Sequence, residues 1–237
     1  MAPVIAKVRS DAPDVAGARK VPHSMRRQTI ARRMTEGYAV PSLTADMNVE
    51  LTALRKWRAG PEGKDISVLA VIAHALVATI REFPQFNAHW HDDALLMFEG
   101  VHLGIAVDTP GGLVVPVIRN AQNLNPLGLT EAIRSLAQKA RDGQLSADEM
   151  TGSSFTLSNP GSVGPVHNTS AILNVPEVAL LGLSGIRHEV VPIRDGEGWA
   201  TTVREFVRPS LTFDHRALDG GPVVAFLSSL KRRIESL

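Results

Sequence analysis

The segment 67–82 limits the fold more than any other stretch of the chain. Ser67 is a good helix cap, and Val68, Leu69, Val71, Ile72, Leu76 and Ile80 follow it before Pro84 stops the run. These apolar positions cover most of a helix's circumference rather than one stripe, so the helix must be buried on most sides. A chain of 237 residues can supply that cover within one large domain or two small ones.

The flanking sequence offers both helices and strands as cover. Ser24 predicts the cap of a helix with Met25, Ile30, Met34 and Tyr38 at helical spacing, and Arg26, Arg27, Arg32 and Arg33 between them read as a solvated face. Leu43, Ala45, Met47, Val49 and Leu51 alternate with polar residues, which predicts one half-buried strand, and a short helix follows over 52–57. Segments 87–91 and 95–98 read as a hairpin around Asp92-Asp93. Segments 103–107 and 113–117 read as strands joined by a turn through Pro110, Gly111 and Gly112. Thr130 predicts the start of an amphipathic helix ending at Gly143, and Ser146-Ala147-Asp148-Glu149 is a capping-box pattern. A strand then enters the polar loop Ser158-Asn159-Pro160-Gly161. Segments 178–183, 189–193 and 201–213 are the last strands, with Gly196-Glu197-Gly198 as a turn. The expected fold class is α+β, or mixed α/β: one domain with a mixed sheet, much antiparallel pairing, and helices on one face. Residues 1–20, rich in Ala and Pro without a clean period, read as a linker-like arm, and 21–237 as the folded domain.

Composition removes several functions. A formal net charge of +1 indicates neither a nucleic-acid surface nor a polyanionic tail. The absence of cysteine excludes disulfides, a thiol nucleophile and thiolate metal sites, and fits a reducing compartment. No apolar run is long enough to span a bilayer and no signal peptide opens the chain, so a soluble intracellular protein is expected. His89-x-His91 would put two imidazoles on one face of a strand. No third ligand stands nearby apart from the turn acids, and no metal is assigned.

The residue types for chemistry gather near the end, in Phe213-Asp214-His215-Arg216-Ala217-Leu218-Asp219-Gly220-Gly221. A strand-like run leads in and a helix-like run over 223–234 leads out. Imidazole, with an unperturbed pKa of about 6.5, can take and return a proton near neutrality. The same residues also suit a plain strand-to-helix corner with a solvated charge pair.

Several stretches together resemble one family, the catalytic domain of the dihydrolipoamide acyltransferases of 2-oxo acid dehydrogenase complexes. They include Met25-Arg26-Arg27-Gln28-Thr29-Ile30-Ala31-Arg32-Arg33-Met34, Glu82-Phe83-Pro84-Gln85-Phe86-Asn87 and Gly104-Ile105-Ala106-Val107-Asp108-Thr109. Gly112-Leu113-Val114-Val115-Pro116-Val117, Phe155-Thr156-Leu157-Ser158-Asn159, Pro176-Glu177-Val178-Ala179 and the stretch from Asp214 to Gly220 also match, in order, across about 21–235. The resemblance implies a fold like that of chloramphenicol acetyltransferase and trimers with active sites between neighbouring subunits. It implies acyl transfer between dihydrolipoamide and coenzyme A, with His215 as general base and Ser158 as donor to the tetrahedral oxyanion. Asp219 would support the site. Arg58, Ser67, Asp108, Ser158 and Asn159 look like coenzyme A contacts.

The resemblance also implies partners: a lipoyl group on a separate domain or chain, a decarboxylase and a dihydrolipoamide dehydrogenase, in the cytoplasm or, in a eukaryote, the mitochondrial matrix. No lysine in an acidic hairpin setting marks a lipoyl domain, so either this is an excised core or another chain carries the acyl group. Only Ile234 and Leu237 remain near the end to fill a neighbour's pocket, so trimers are expected and a cage of 24 or 60 subunits is doubted. The acyl group stays open among acetyl, succinyl and branched-chain. The competing readings are a structural assembly core with little activity of its own and an antibiotic-type acetyltransferase of the same fold.

Overall fold

The structure, a computed structural model, describes residues 12–237; the first part of the expected arm, 1–11, lies outside the described residues. The helices in chain order are α1 (Met25–Tyr38), α2 (Thr52–Ala59), α3 (Val68–Glu82), α4 (Pro126–Arg141) and α5 (Gly220–Glu235). The strands are β1 (Ser42–Asp46), β2 (Val49–Glu50), β3 (Ala88–Trp90), β4 (Leu95–Met97), β5 (Leu103–Ile105) and β6 (Val117–Ile118), then β7 (Phe155–Ser158), β8 (Ala179–Leu183), β9 (Arg187–Asp195), β10 (Gly198–Val207) and β11 (Pro209–Asp214).

The caps read from sequence set the helix starts. Ser24 Oγ accepts from Arg27 N at 3.2 Å, and Ser67 Oγ accepts from Ala70 N at 3.1 Å, each satisfying an amide that the first turn leaves free. Ser146 and Glu149 close their capping box reciprocally, at 2.9 and 3.2 Å. α4 corrects the expectation: it begins at Pro126, where Asn125 Oδ1 accepts from Gly128 N at 2.8 Å. Asn-Pro is itself a cap followed by a residue preset for the first turn. Thr130 lies inside the helix, donating to Pro126 O and accepting from Ser67 N. Arg26 is exposed, as expected of a solvated face, and its guanidinium makes a tertiary contact as well. It donates to Thr109 Oγ1 at 3.1 Å and Gly112 O at 3.2 Å, tying α1 to the 109–112 turn.

The main sheet has the order β1-β11-β8-β7-β5-β6. β5, β7 and β8 are mutually parallel, and the β1–β11, β11–β8 and β5–β6 pairs are antiparallel. A second sheet, β2-β10-β9, and the β3–β4 hairpin complete the strands. The long apolar helix is buried as its composition requires: Val71, Ile72, Leu76 and Ile80 are at most 3% exposed. Phe226 of α5 joins Phe86 and Phe155, with ring centroids at 4.4 and 6.2 Å, in the centre of the core. Full burial of such a ring contributes about 2–3 kcal/mol. On β11, Leu211 and Phe213 belong to this core. Ser210 and Thr212 alternate with them and meet polar groups instead: Ser210 Oγ donates to Asn168 Oδ1, and Thr212 pairs with Thr44 at 2.8 Å. Gly182 of β8 lies against this polar cover, where an added Cβ would come within 2.1 Å of Thr169 Oγ1.

Two expected strands prove to be two strands each. The 43–51 run divides into β1 in the main sheet and β2 in the second, and the 201–213 run divides at Arg208 into β10 and β11. Both runs cross between sheets at the same place. A polar junction holds the crossing: Asn48 Oδ1 accepts from Arg208 Nε at 3.0 Å and from Arg187 Nη2 at 2.7 Å. Leu43, expected inside, is 55% exposed because β1 is the edge of its sheet. The 103–107 and 113–117 hairpin keeps one register through a Val107–Val114 bridge. Its ladder is broken at Pro116, which accepts from Ile105 N but has no N–H to return.

Candidate active site

His215 is the first residue beyond β11. Its backbone N donates to Pro41 O at 2.9 Å, carrying the β1–β11 ladder one step further, and its ring is exposed, 5.5 Å from that of Phe213. The residues on either side are tied to each other. The Asp214 carboxylate, in a residue 2% exposed, accepts from Arg216 N, Nε and Nη2 at 2.9, 3.0 and 2.6 Å. Ala217 N and Leu218 N both donate to Asp214 O at 3.0 Å, and buried Leu218 anchors the turn. Asp219 is exposed at the N-cap of α5, where its carboxylate makes no capping hydrogen bond but lies in the favourable field of the helix start.

Ser158 ends β7 and is half-buried; among the described residues its hydroxyl has no hydrogen-bond partner. Asn159 follows and turns the chain through Pro160–Ser162, with Ser162 Oγ donating to Asn159 O at 2.7 Å. Gly161 lets this loop press on the next strand end: a Cβ there would sit 2.2 Å from Ser184 O.

The sheet register separates the two groups. Ser158 pairs with Gly182, and Gly182 pairs with Ser210. His215 is five residues further along β11, about 16 Å at ~3.3 Å per residue. Within one chain, the imidazole and the hydroxyl therefore stand at opposite ends of the sheet. Asp108 shares the Ser158 end, since Ala106 N donates to Leu157 O, and it is exposed. Arg58 and Ser67 form a separate group at the α2–α3 loop, where Arg58 Nε donates to Ile66 O at 2.6 Å. The Ser67 hydroxyl is engaged as the α3 cap.

A second polar centre escaped the sequence reading. Glu177, 2% exposed just before β8, accepts from Ser153 Oγ and, at 2.8 Å, from Asn174 Nδ2, while its Oε2 is buried without a partner. Burial pushes this carboxyl up to about 7, against the hydrogen bond from Ser153. It borders a cavity of about 290 Å³ beneath α1, lined also by Ile30, Arg33, Met34 and His89. His89 is tied into the fold: its Nε2 lies 2.8 Å from Ser153 O, and its ring meets Phe98 edge-on at 4.6 Å. Burial pushes the His89 pKa down. Its ring lies 6.5 Å from that of His91, and among the described residues no group of three or more His, Asp and Glu side chains could hold a metal ion. The signals for Glu177 were its place in the family-like stretch Pro176-Glu177-Val178-Ala179 and an acid set directly before a wholly apolar strand.

A carboxyl raised from 4.5 to about 7 keeps its proton in the folded state while the unfolded chain loses it. The stability it contributes is full below about 4.5 and is lost as pH rises through about 7, a change of about 3 kcal/mol. Glu177→Gln is therefore expected to melt above the parent protein at pH 8 and close to it at pH 4.5. Calorimetry at fixed protein concentration checks this, and an equal shift at both pH values would contradict it.

The model of the 2-oxoacid dehydrogenases acyltransferase (catalytic domain) family matches residues 16–237. Three Bacillus subtilis (strain 168) relatives are similar along most of the chain. The acetyltransferase component of an acetoin cleaving system is 36% identical over 92% of this chain and 56% of its own length. The lipoamide acyltransferase component of a branched-chain alpha-keto acid dehydrogenase complex is 34% identical over 94% and 53%. The succinyltransferase component of a 2-oxoglutarate dehydrogenase complex is 36% identical over 90% and 52%. The chain thus spans about half the length of the curated relatives it matches. Among solved structures, Azotobacter vinelandii dihydrolipoamide acetyltransferase superposes with a TM-score of 0.84 at 32% identity, covering 95% of this chain and 96% of that one. That structure concerns the catalytic roles of a serine, a histidine and an asparagine four positions after the histidine. Chloramphenicol acetyltransferase, with a TM-score of 0.53 at 14% identity over 90% of this chain and 96% of that one, shares the fold.

Proposed function

Because this chain belongs to the 2-oxoacid dehydrogenase acyltransferase (catalytic domain) family, we propose that it moves an acyl group between dihydrolipoamide and coenzyme A. His215 takes the proton of the attacking thiol, which at a pKa of about 8.5 is mostly protonated near neutrality. The thiolate attacks the thioester carbonyl, and the Ser158 hydroxyl donates to the oxygen as negative charge develops there. Collapse expels the other thiolate, which takes the proton back from the imidazolium. One thioester replaces another, so positioning matters more than driving force. The Asp219 carboxylate, at the start of α5, supports the geometry around His215. In the Azotobacter vinelandii protein an asparagine stands four positions after the histidine. Arg58, whose outer nitrogens are unengaged among the described residues, would hold a phosphate of coenzyme A, with Ser67, Asp108 and Asn159 as further contacts.

The observation that carries this reading is the register: the two catalytic groups of one chain are about 16 Å apart along the strands, each accessible at its own end. They meet only if the histidine of one copy faces the serine of another, as in a closed ring of identical subunits. We place the catalytic domain at 21–237, working as a homotrimer with a lipoyl domain, a decarboxylase and a dihydrolipoamide dehydrogenase. The relatives' names span acetyl, branched-chain and succinyl transfer at similar identity, and the acyl group is left to an assay with an acyl-CoA panel.

Subunit mixing tests the arrangement. His215→Ala and Ser158→Ala proteins, each slowed by at least about 10²-fold alone, are denatured together and reassembled. Random trimers with sites between copies should recover about a quarter of the wild-type rate. No recovery, despite reassembled particles in light scattering, would contradict a shared site.

A further inference from the structure

We infer that Trp90 is a positioning residue for His215, acting through Arg216. The inference rests on His215 being the base. Trp90 closes β3, its backbone N donates to Pro176 O at 2.9 Å, and it pairs with Leu95 across the hairpin. Its half-buried indole faces Arg216, whose guanidinium carbon lies 4.8 Å from the ring centroid, within reach of a cation–π attraction. The edge of the same guanidinium is held by the Asp214 carboxylate through Nε at 3.0 Å and Nη2 at 2.6 Å.

The arrangement brackets the histidine. Asp214, before it, is buried and cannot lose its partner without leaving an unpaired charge inside the protein. Arg216, after it, has a side chain 39% exposed, and the ion pair alone holds only an edge of its guanidinium. The indole supplies a second contact, its ring centroid 4.8 Å from the guanidinium carbon. With the guanidinium held by both the carboxylate and the indole, the turn on either side of His215 is fixed, and so is the origin of its side chain. The hairpin turn adds a carboxylate near the guanidinium: Asp92 and Asp214 both push the Arg216 pKa up, Asp214 more strongly. No metal or further ligand is needed for this device. It lies outside the 290 Å³ cavity beneath α1 and uses a side chain with no part in the proton transfer itself.

The test compares Trp90→Leu, Trp90→Phe and Arg216→Lys in steady-state acyl transfer between an acyl-CoA and free dihydrolipoamide, with His215→Ala alongside. Trp90→Leu should lower kcat about three- to thirtyfold, the range of a partly desolvated cation–π contact, with KM for coenzyme A unchanged. Trp90→Phe, which keeps a ring face, should restore most of the loss. Arg216→Lys, which keeps the charge but not the fork, should lose at least as much as Trp90→Leu. Rates are taken per folded protein, from circular dichroism at the assay temperature. A Trp90→Leu protein with the parent kcat, a loss shared equally by Trp90→Phe, or a loss that disappears after correction for folded fraction would each overturn the inference. If His215→Ala itself keeps its activity, the reading of the site fails instead, whatever the Trp90 variants do.

Discussion

Replacing His215 with alanine is expected to lower the rate of acyl transfer between an acyl-CoA and free dihydrolipoamide by about 10²–10⁴-fold, the usual contribution of a positioned general base. The ring is exposed beyond the end of β11, so its removal opens no cavity in the core, and the Asp214–Arg216 pair that shapes the turn remains. The variant should therefore melt and assemble like the parent. Its residual activity should rise with pH, as thiolate forms without help from the protein. A loss of less than about tenfold would remove the base from the mechanism, because binding and orientation alone would then carry most of the rate.

Ser158→Ala is expected to cost about 10²–10³-fold in kcat, the effect of deleting one donor to a developing oxyanion. KM should change little, since the ground-state carbonyl carries less charge than the oxyanion. The hydroxyl holds nothing in place within the described structure, so the loss cannot be attributed to a broken loop. Ser158→Thr provides a further contrast. It keeps a hydroxyl but adds a methyl at the half-buried end of β7, and its activity should fall between those of the parent and the alanine variant. Equal activity in Ser158→Ala and the parent enzyme would leave the oxyanion without the donor proposed here.

What the sequence revealed follows the range of the interactions involved. Caps are local: Ser24, Ser67 and the Ser146–Glu149 box each join residues three apart, and each was legible. The Asn125 cap was equally local but was passed over for Thr130, a helix-interior threonine with a cap-like composition. Crossing between sheets at Asn48 and Arg208 was not legible, because strand periodicity runs unbroken through a change of partner. In the candidate site, His215 and Asp219 share one turn and could be read together. The distance from His215 to Ser158 depends on two registers across β8, which no local pattern encodes. Glu177 looked like any acid at a strand start, and only the packing around it makes its protonation unusual.

The pairing of β1 with β11 joins Ser42 to Asp214, so the first strand of the main sheet waits for the last. On a ribosome adding roughly 5–20 amino acids per second, that wait is on the order of ten seconds or more. During it, β1 has no neighbour in the main sheet, and the core lacks the Phe226 that later packs on Phe86 and Phe155. A loop-closing contact of this length also forms late in the folding search. The strand that delivers the histidine is thus the one that completes the sheet, and a half-made chain has neither.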